Sequence, residues 1–314
     1  MINLEQIYQA RENISDIAKT TPIMTSNRIS ANAGNQLFLK CEHLQKTGSF
    51  KIRGASNKVK DAAARLNPDA IITASSGNHG QAVAYIANQL GVPSTIVVPE
   101  DASVNKLKAI ELYHGNVEFC GTTSEERINR AKKICEAENG IYIPPYDDPL
   151  IMAGQGTVGL ELIEQVEDIG EVYVPIGGGG LISGVLTAIK ETKPSIRVIG
   201  VEPAIANDTY LSLNKGERVN IGGTTTIADG LRTSIPGELT FPVVQKYVDD
   251  IVLVDEDAIQ EAFGIVLTRM KQVIEASAAV SVAAALRSAP DGKRIVALAS
   301  GGNIDNKVIQ SLLK

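Results

Sequence analysis

The residues best able to do chemistry sit in three short segments, each placed where an apolar run gives way to helical periodicity. In KTGSFKIRGA, residues 46–55, Lys51 stands beside Phe50. A lysine at a strand-to-helix passage is ordinarily a solvated surface charge. One whose amine is pulled below its usual value of about 10.4 by burial or neighbouring cations becomes a nucleophile toward aldehydes. In SSGNHG, residues 75–80, Ser75, Ser76, Asn78 and His79 lie at a helix start. Their polar side chains and free backbone N–H groups can hold a carboxylate or a ring oxygen; the plainer alternative is an N-cap followed by a glycine turn. In the third segment, EVYVPI runs into Gly177, Gly178, Gly179 and Gly180 and then into LISGVLTAIK. Four successive glycines leave N–H groups unobstructed at a helix N-terminus, where the dipole favours an anion. This reads as a phosphate cradle, since a flexible linker does not usually join a buried strand to a helix.

A dinucleotide cradle is the nearest competitor, because Glu202 ends the next strand where a ribose-binding acid would lie. The spacing is not GxGxxG: with Gly177 and Gly179 in the first two places, Ile182 stands where the third glycine belongs. A Walker A sequence is absent as well. A lysine near two anion-binding turns is instead what a phosphorylated aldehyde requires.

The elements that must position these residues follow an α/β pattern, short apolar runs alternating with helix-length periodic segments from about residue 37. Strands are expected at 37–41, 70–74, 94–98, 117–119, 171–176, 196–201, 251–254 and 294–298, most of them continuous apolar runs suited to burial on both faces. Helices are expected near 4–18, 51–66, 78–91, 104–115, 124–138, 149–167, 180–193, 256–273, 276–288 and 304–313. The stretch GIYIPPYDDPL, residues 140–150, has three prolines and suits a crossing between lobes. Residues 215–240, rich in Gly, Thr and Pro, suit a functional loop.

Length and charge narrow the class. At 314 residues the chain exceeds the usual size of one core, so two lobes are expected. The net charge of -6 comes without a basic tract, which leaves nucleic-acid binding without its usual source of affinity. Cys41, Cys120 and Cys135 form neither a CxxC nor a disulfide framework, so a reducing cytoplasm is expected. The N-terminal segment reads as an amphipathic helix, and no apolar run approaches 18 residues; neither a signal peptide nor a membrane partner is expected.

Taken in order, KTGSFKIRGA, SSGNHGQA, GGGGLISG and SGGN resemble the fold type II pyridoxal 5′-phosphate (PLP) enzymes, within them the serine/threonine dehydratase and serine racemase branch. The resemblance spans essentially the whole chain. It implies an α/β fold of two lobes with parallel-rich twisted sheets flanked by helices: a large PLP-binding domain from 1–62 and 148–314, and a small domain from 63–147. PLP would lie between them, and a homodimer is expected. Lys51 would be the Schiff-base lysine and Phe50 would pack on the ring. Asn78 would meet the ring hydroxyl, Gly177 to Gly180 the phosphate, and Ser300 the pyridine nitrogen. Ser300 read alone would be equally suited to capping a helix.

The same resemblance assigns the substrate carboxylate to Ser75, Ser76, Asn78 and His79, with Tyr113 and Arg127 as further candidates. Arg127 sits in a charged helical run, SEERINRAKK, where a solvated arginine is as good a reading. Glu202, the carbonyl of Ala206 and Asp208, in VEPAIAND, match a divalent-cation site, and oxygen ligands suit Mg²⁺, Mn²⁺ or Ca²⁺; a pair of surface acids is the plainer reading. The activity implied is elimination of water and ammonia from L-threonine or L-serine, leaving a 2-oxo acid. Racemisation of serine is the rival within the class, with Ser76 as the second proton donor, and threo-3-hydroxyaspartate is an alternative substrate. A nucleotide-dependent oxidoreductase lacks its fingerprint here, and a non-catalytic amino acid sensor would not need Lys51. Two departures stand out. Family members often have proline where this chain has Ala276 after Glu275, which leaves the role of Glu275 open. The chain stops at Lys314, so feedback control through a C-terminal regulatory domain is not expected.

Overall fold

A computed structural model describes residues 1–75, 77–100, 102, 104–121 and 123–313. Among them are ten strands: β1 (Ile23–Thr25), β2 (Gln36–Cys41), β3 (Ala70–Ala74), β4 (Ser94–Val98), β5 (Asn116–Phe119), β6 (Gly140–Tyr142), β7 (Ile169–Pro175), β8 (Arg197–Pro203), β9 (Asp250–Val254) and β10 (Arg294–Ala299). The helices are α1 (Leu4–Asn13), α2 (Asn27–Ala33), α3 (Lys51–Leu66), α4 (Asn78–Gln89), α5 (Val104–Leu112), α6 (Ser124–Ala137), α7 (Pro149–Gln165), α8 (Gly180–Thr192), α9 (Asp208–Lys215), α10 (Thr240–Tyr247), α11 (Glu256–Ile265), α12 (Ala276–Leu286) and α13 (Asn306–Leu312).

The strands form two sheets, one in the order β1-β2-β10-β7-β8-β9 and the other in the order β5-β4-β3-β6. Among these strands only β1 pairs antiparallel; every other pairing is parallel. Parallel strands must be covered on both faces, which is why β3, β7 and β10 are apolar almost throughout and buried. Ile71 and Ile72 of β3 are fully buried, each worth about 1.5–3 kcal/mol relative to exposure. Between the helices the closest approaches are made through glycine. A side chain on Gly154 of α7 would strike the Gly54 backbone of α3 at 2.6 Å, and one on Gly184 of α8 would strike Met152 O at 2.3 Å.

Parallel α/β sheets place ligands beyond the carboxyl ends of their strands. Here β2, β10 and β7 are neighbours, and the segments leaving them carry Lys51, Ser300 and Gly177 to Gly180. Ser75 and Asn78 leave the carboxyl end of β3 in the other sheet.

Several boundaries differ from expectation. Helix α1 stops at Asn13 rather than 18, and the expected 256–273 helix ends at Ile265, continuing as a π-helical turn over Val266–Met270 to left-handed Lys271. The segment 140–150 opens with strand β6, which pairs with β3. No helix among the described residues is long and apolar enough to cross a membrane.

Candidate active site

The motif residues meet in a cleft of about 380 Å³, within the range of small-molecule sites. Lys51 begins α3 and is half-buried, its Nζ donating to Pro145 O at 2.7 Å and lying 5.2 Å from the centre of the Phe50 ring. Burial pushes its amine down to about 8, against the opposite pull of Glu275. Phe50 N donates to Ser300 O at 3.0 Å, which ties the lysine segment to the end of β10. Ser300 lines the cleft; it caps no helix, because the residue before α13 is Asp305.

The glycine loop leads from β7 into α8 without a side chain to obstruct it. Gly179 has φ +89°, a conformation glycine takes freely, and a Cβ there would meet Thr240 Oγ1 at 2.7 Å. Thr240 Oγ1 donates to Gly178 O at 2.8 Å, and a Cβ on Gly178 would stand 2.5 Å from the Tyr146 ring. The loop is therefore held between Thr240 and Tyr146 with the N-terminus of α8 behind it.

Asn78 opens α4. Its Nδ2 donates to both carboxylate oxygens of Glu275, at 2.9 and 3.1 Å, and its Oδ1 accepts from Asn303 Nδ2 at 2.8 Å. Burial raises the Glu275 carboxyl to about 7, with Asp229 adding to the rise. Ser75 Oγ accepts from Gly77 N at 3.4 Å. Ser76 lies outside the described residues. His79 lines the cleft, with its ring bonded to the backbone. Nε2 meets the Ile143 carbonyl at 3.1 Å and so carries the proton, while burial and then the Lys51 charge push the imidazole down to about 3. The neutral ring retains only Nδ1 as an acceptor, which cannot hold a carboxylate; the first-turn N–H groups of α4 can.

Arg127 lines the cleft, and Lys106 pairs with Asp229 at 2.5 Å on its wall. Tyr113 does not line it; its ring packs edge-on against Tyr85 at 5.3 Å. Glu275, Asn303, Tyr146 and Asp229 are cleft residues that sequence reading did not assign. Asn303 lies within SGGN, so the motif marked its neighbourhood; Tyr146 and Asp229 carry no local signal.

Glu202 and Asp208, at the end of β8 and the start of α9, are fully buried rather than surface acids, as is Ala206 between them. Glu202 accepts from Thr209 N at 3.0 Å and Tyr210 N at 2.8 Å; Asp208 meets Thr233 Oγ1 at 3.4 Å. Burial, and then the charge of Asp208, raise Glu202 to about 8, and burial raises Asp208 to about 7. Among the described residues no three His, Cys, Asp or Glu side chains gather as a metal cluster, so a cation here would need backbone or water oxygens beside the two carboxylates.

An amine that burial holds near 8, in one cleft with a glycine loop at a helix N-terminus, is a donor set that suits a phosphorylated aldehyde. Fold and site thus define an α/β enzyme of the PLP-binding class. Residues 14–301 match the pyridoxal-phosphate dependent enzyme family, and the chain belongs to it. It is 43% identical to human serine racemase over 97% of this chain and 92% of that one. It is 41% identical to an L-threonine ammonia-lyase of Geobacter sulfurreducens, over 100% of this chain and 79% of the relative. Its fold matches that of maize serine racemase with a TM-score of 0.95 at 38% identity, covering 99% and 97% of the two chains. A threonine deaminase of T.th. matches with a TM-score of 0.92 at 41% identity, covering 96% and 99%. These relatives place it among fold type II PLP enzymes.

Proposed function

We propose that the chain is an ammonia-lyase that converts L-threonine or L-serine to a 2-oxo acid and ammonia, with racemisation of serine as a slower companion. The observation that carries this reading is the depressed Lys51 amine in a cleft shared with the glycine loop and the α4 N-terminus. Lys51 would hold PLP, Phe50 would flank its ring, and Gly177, Gly178, Gly179 and Gly180 would hold its phosphate. Ser300 would face the pyridine nitrogen. Asn78 has its amide protons on Glu275 and one Oδ1 bond from Asn303, so the second lone pair of Oδ1 is left for the ring hydroxyl. PLP, when bound, supplies the electron sink that lets the Cα–H bond break.

The chain's own residues supply the rest. Lys51, its amine held near 8, would be a neutral base of suitable pKa that takes the Cα proton from one face. The first-turn N–H groups of α4, with Ser75, hold the substrate carboxylate, and Arg127 faces the same cleft. Lobe closure would exclude water until the β-hydroxyl has left. The enamine released tautomerises and hydrolyses to the 2-oxo acid and ammonia. We assign the two sheets to two lobes, 1–62 with 148–314 and 63–147. We further assign a divalent cation to Glu202, Asp208 and the Ala206 carbonyl, since two carboxylates whose protonation is raised by burial are what such an ion would neutralise.

Racemisation needs a proton source on the face opposite Lys51. Ser76 is the candidate by its place before GNHG, and the serine racemases among the relatives favour keeping this second reading. A panel of serine, threonine and 3-hydroxyaspartate with oxo-acid detection and chiral analysis tests both. L-serine should yield chiefly pyruvate with some D-serine, and Ser76→Ala should remove the D-serine while elimination largely survives. Equal D-serine output from that variant would remove Ser76 from the mechanism. D-serine as the dominant product of the unaltered enzyme would put racemisation first.

A further inference from the structure

Around Arg53, in the same first turn of α3 as Lys51, lies a cluster of charges with almost no access to water. Lys40, Glu42 and Arg53 are at most 1% exposed, and Glu161 is 7% exposed. Arg53 forks onto both acids. Its Nε and Nη2 donate to Glu42 at 2.8 Å each, and Nη1 and Nη2 donate to Glu161 at 2.7 and 3.0 Å. Thr157 Oγ1 and the Lys19 carbonyl take further bonds from the same guanidinium, at 3.0 and 3.1 Å. Lys40 Nζ donates to Glu161 at 2.5 Å, Gln165 at 2.8 Å and the Thr21 carbonyl at 2.9 Å. Two cations and two anions cancel, and the strands and helices they come from are β2, the turn after it, α3 and α7.

Replacing a buried ion network by apolar groups of similar shape is often neutral or stabilising. Stability alone is therefore a weak reason for this one. Its place on α3 offers another. Arg53 follows Lys51 by two residues, about 200° around the helix, so Lys51 lines the cleft while Arg53 enters the buried charge cluster. The first turn of α3 has no side-chain N-cap and no acidic residue to hold it. Beside the packing of Ile52 and Gly54, the polar grips on that turn are Phe50 N on Ser300 O, Lys51 Nζ on Pro145 O, Gly54 N on Gln155 Oε1 of α7 at 3.1 Å, and the many bonds of Arg53.

We propose that Arg53 is a positioning residue: its two-carboxylate clamp sets the first turn of α3 against β2 and α7, and so fixes where the Lys51 amine stands in the cleft. The proposal rests on Lys51 being the lysine that holds PLP. A bidentate fork onto two carboxylates at once is a task for guanidinium; an ammonium is a point charge and cannot fix both in plane.

The test uses two variants of the full chain. In Lys40→Met/Glu42→Leu/Arg53→Leu/Glu161→Met the charges vanish together, so no charge is left buried without its counter-charge, and among the described residues only Thr21 N and Oγ1 lose acceptors. In Arg53→Lys the charge stays and the fork is lost. Melting temperature, the pH midpoint for PLP uptake by the apo chain, kcat and KM are measured for each. The four-residue variant should melt close to the parent, yet lose on the order of 10- to 100-fold in kcat with KM little changed, as misplacement of a reacting group by about 1 Å does. Its uptake midpoint should shift from the parent's. Arg53→Lys should show the same two changes to a smaller degree. Parental kcat and midpoint in the four-residue variant would overturn the proposal; should that variant fail to fold, the same pair of results in Arg53→Lys overturns it equally. Lys51→Ala serves as the separate control: covalent PLP capture by that variant would overturn the assignment of Lys51 on which the proposal rests, a failure distinct from parental kcat and midpoint in the clamp variants.

Discussion

Lys51 carries the sharpest consequence at the scale of single residues. Its folded-state amine lies near 8, below the ordinary lysine value, because burial disfavours the ammonium. Above that pH the amine is neutral and can condense with an aldehyde; below it the proton blocks attack. PLP uptake by the apo chain should therefore rise with pH to a half-maximum near 8 and then level off, followed by visible absorbance. Borohydride should fix the cofactor on Lys51, and Lys51→Ala should fold but lose elimination. An inflection near the free-lysine value of about 10.4 would contradict the burial argument. Glu275 gives a second prediction. Glu275→Gln would confront the Asn78 amide protons with another amide and leave a buried donor badly placed, at about 1–3 kcal/mol. PLP affinity, read by fluorescence titration, should weaken about tenfold or more. Lys51, Asn78 and Ser300, which line the cleft, could be singled out in the sequence because they lie inside contiguous motifs. Glu275 could not, since its meaning comes from Asn78, 197 positions away in sequence.

Among the elements, the glycine loop is the one whose sequence and structure agree most closely, for a run of glycines between a buried strand and a helix has few other uses. Its packing partners add what the run could not disclose. The Tyr146 ring sits where a Gly178 side chain would go, so Gly178→Ala must displace either the ring or the loop. Overpacking of this kind costs about 1–3 kcal/mol. PLP should bind about tenfold more weakly or worse to Gly178→Ala, and Gly178→Ala/Tyr146→Ala should recover part of the loss; no recovery would place the strain elsewhere. The long strands were legible as continuous apolar runs. The three-residue β1 and β6 and the short helices α2, α9 and α10 were not, because too few residues repeat for a period to show. The expected helix over 256–273 failed differently: its apolar pattern persists through a π-helical turn that changes the hydrogen bonding but not the composition.

For the whole molecule, a cation on the buried acids of β8 and α9 would link metal content to stability. If a divalent cation neutralises Glu202 and Asp208 only in the folded chain, a hundredfold excess over Kd adds about 2.7 kcal/mol. The melting temperature should rise with Mg²⁺, Mn²⁺ or Ca²⁺ and fall on chelation, and Asp208→Asn should blunt the response. An undiminished response in Asp208→Asn would place the ion elsewhere. The α/β class and parallel pairing were readable from the alternation of runs, whereas the partition of ten strands into two sheets depends on pairings between distant segments that no local pattern encodes.

The order of strands in the larger sheet also bears on how the protein comes into being. Strand β10, the last in sequence, lies in the interior between β2 and β7. A ribosome releases β2 and β7 long before the strand that must join them, so the nascent chain holds two sheet fragments with facing unpaired edges until the residues beyond 299 emerge. Closing that gap brings Ser300 to Phe50 and completes the cleft in the same event. A complete cofactor cleft therefore waits on synthesis through residue 300, and a product truncated before β10 would lack the keystone strand and leave the edges of β2 and β7 unpaired.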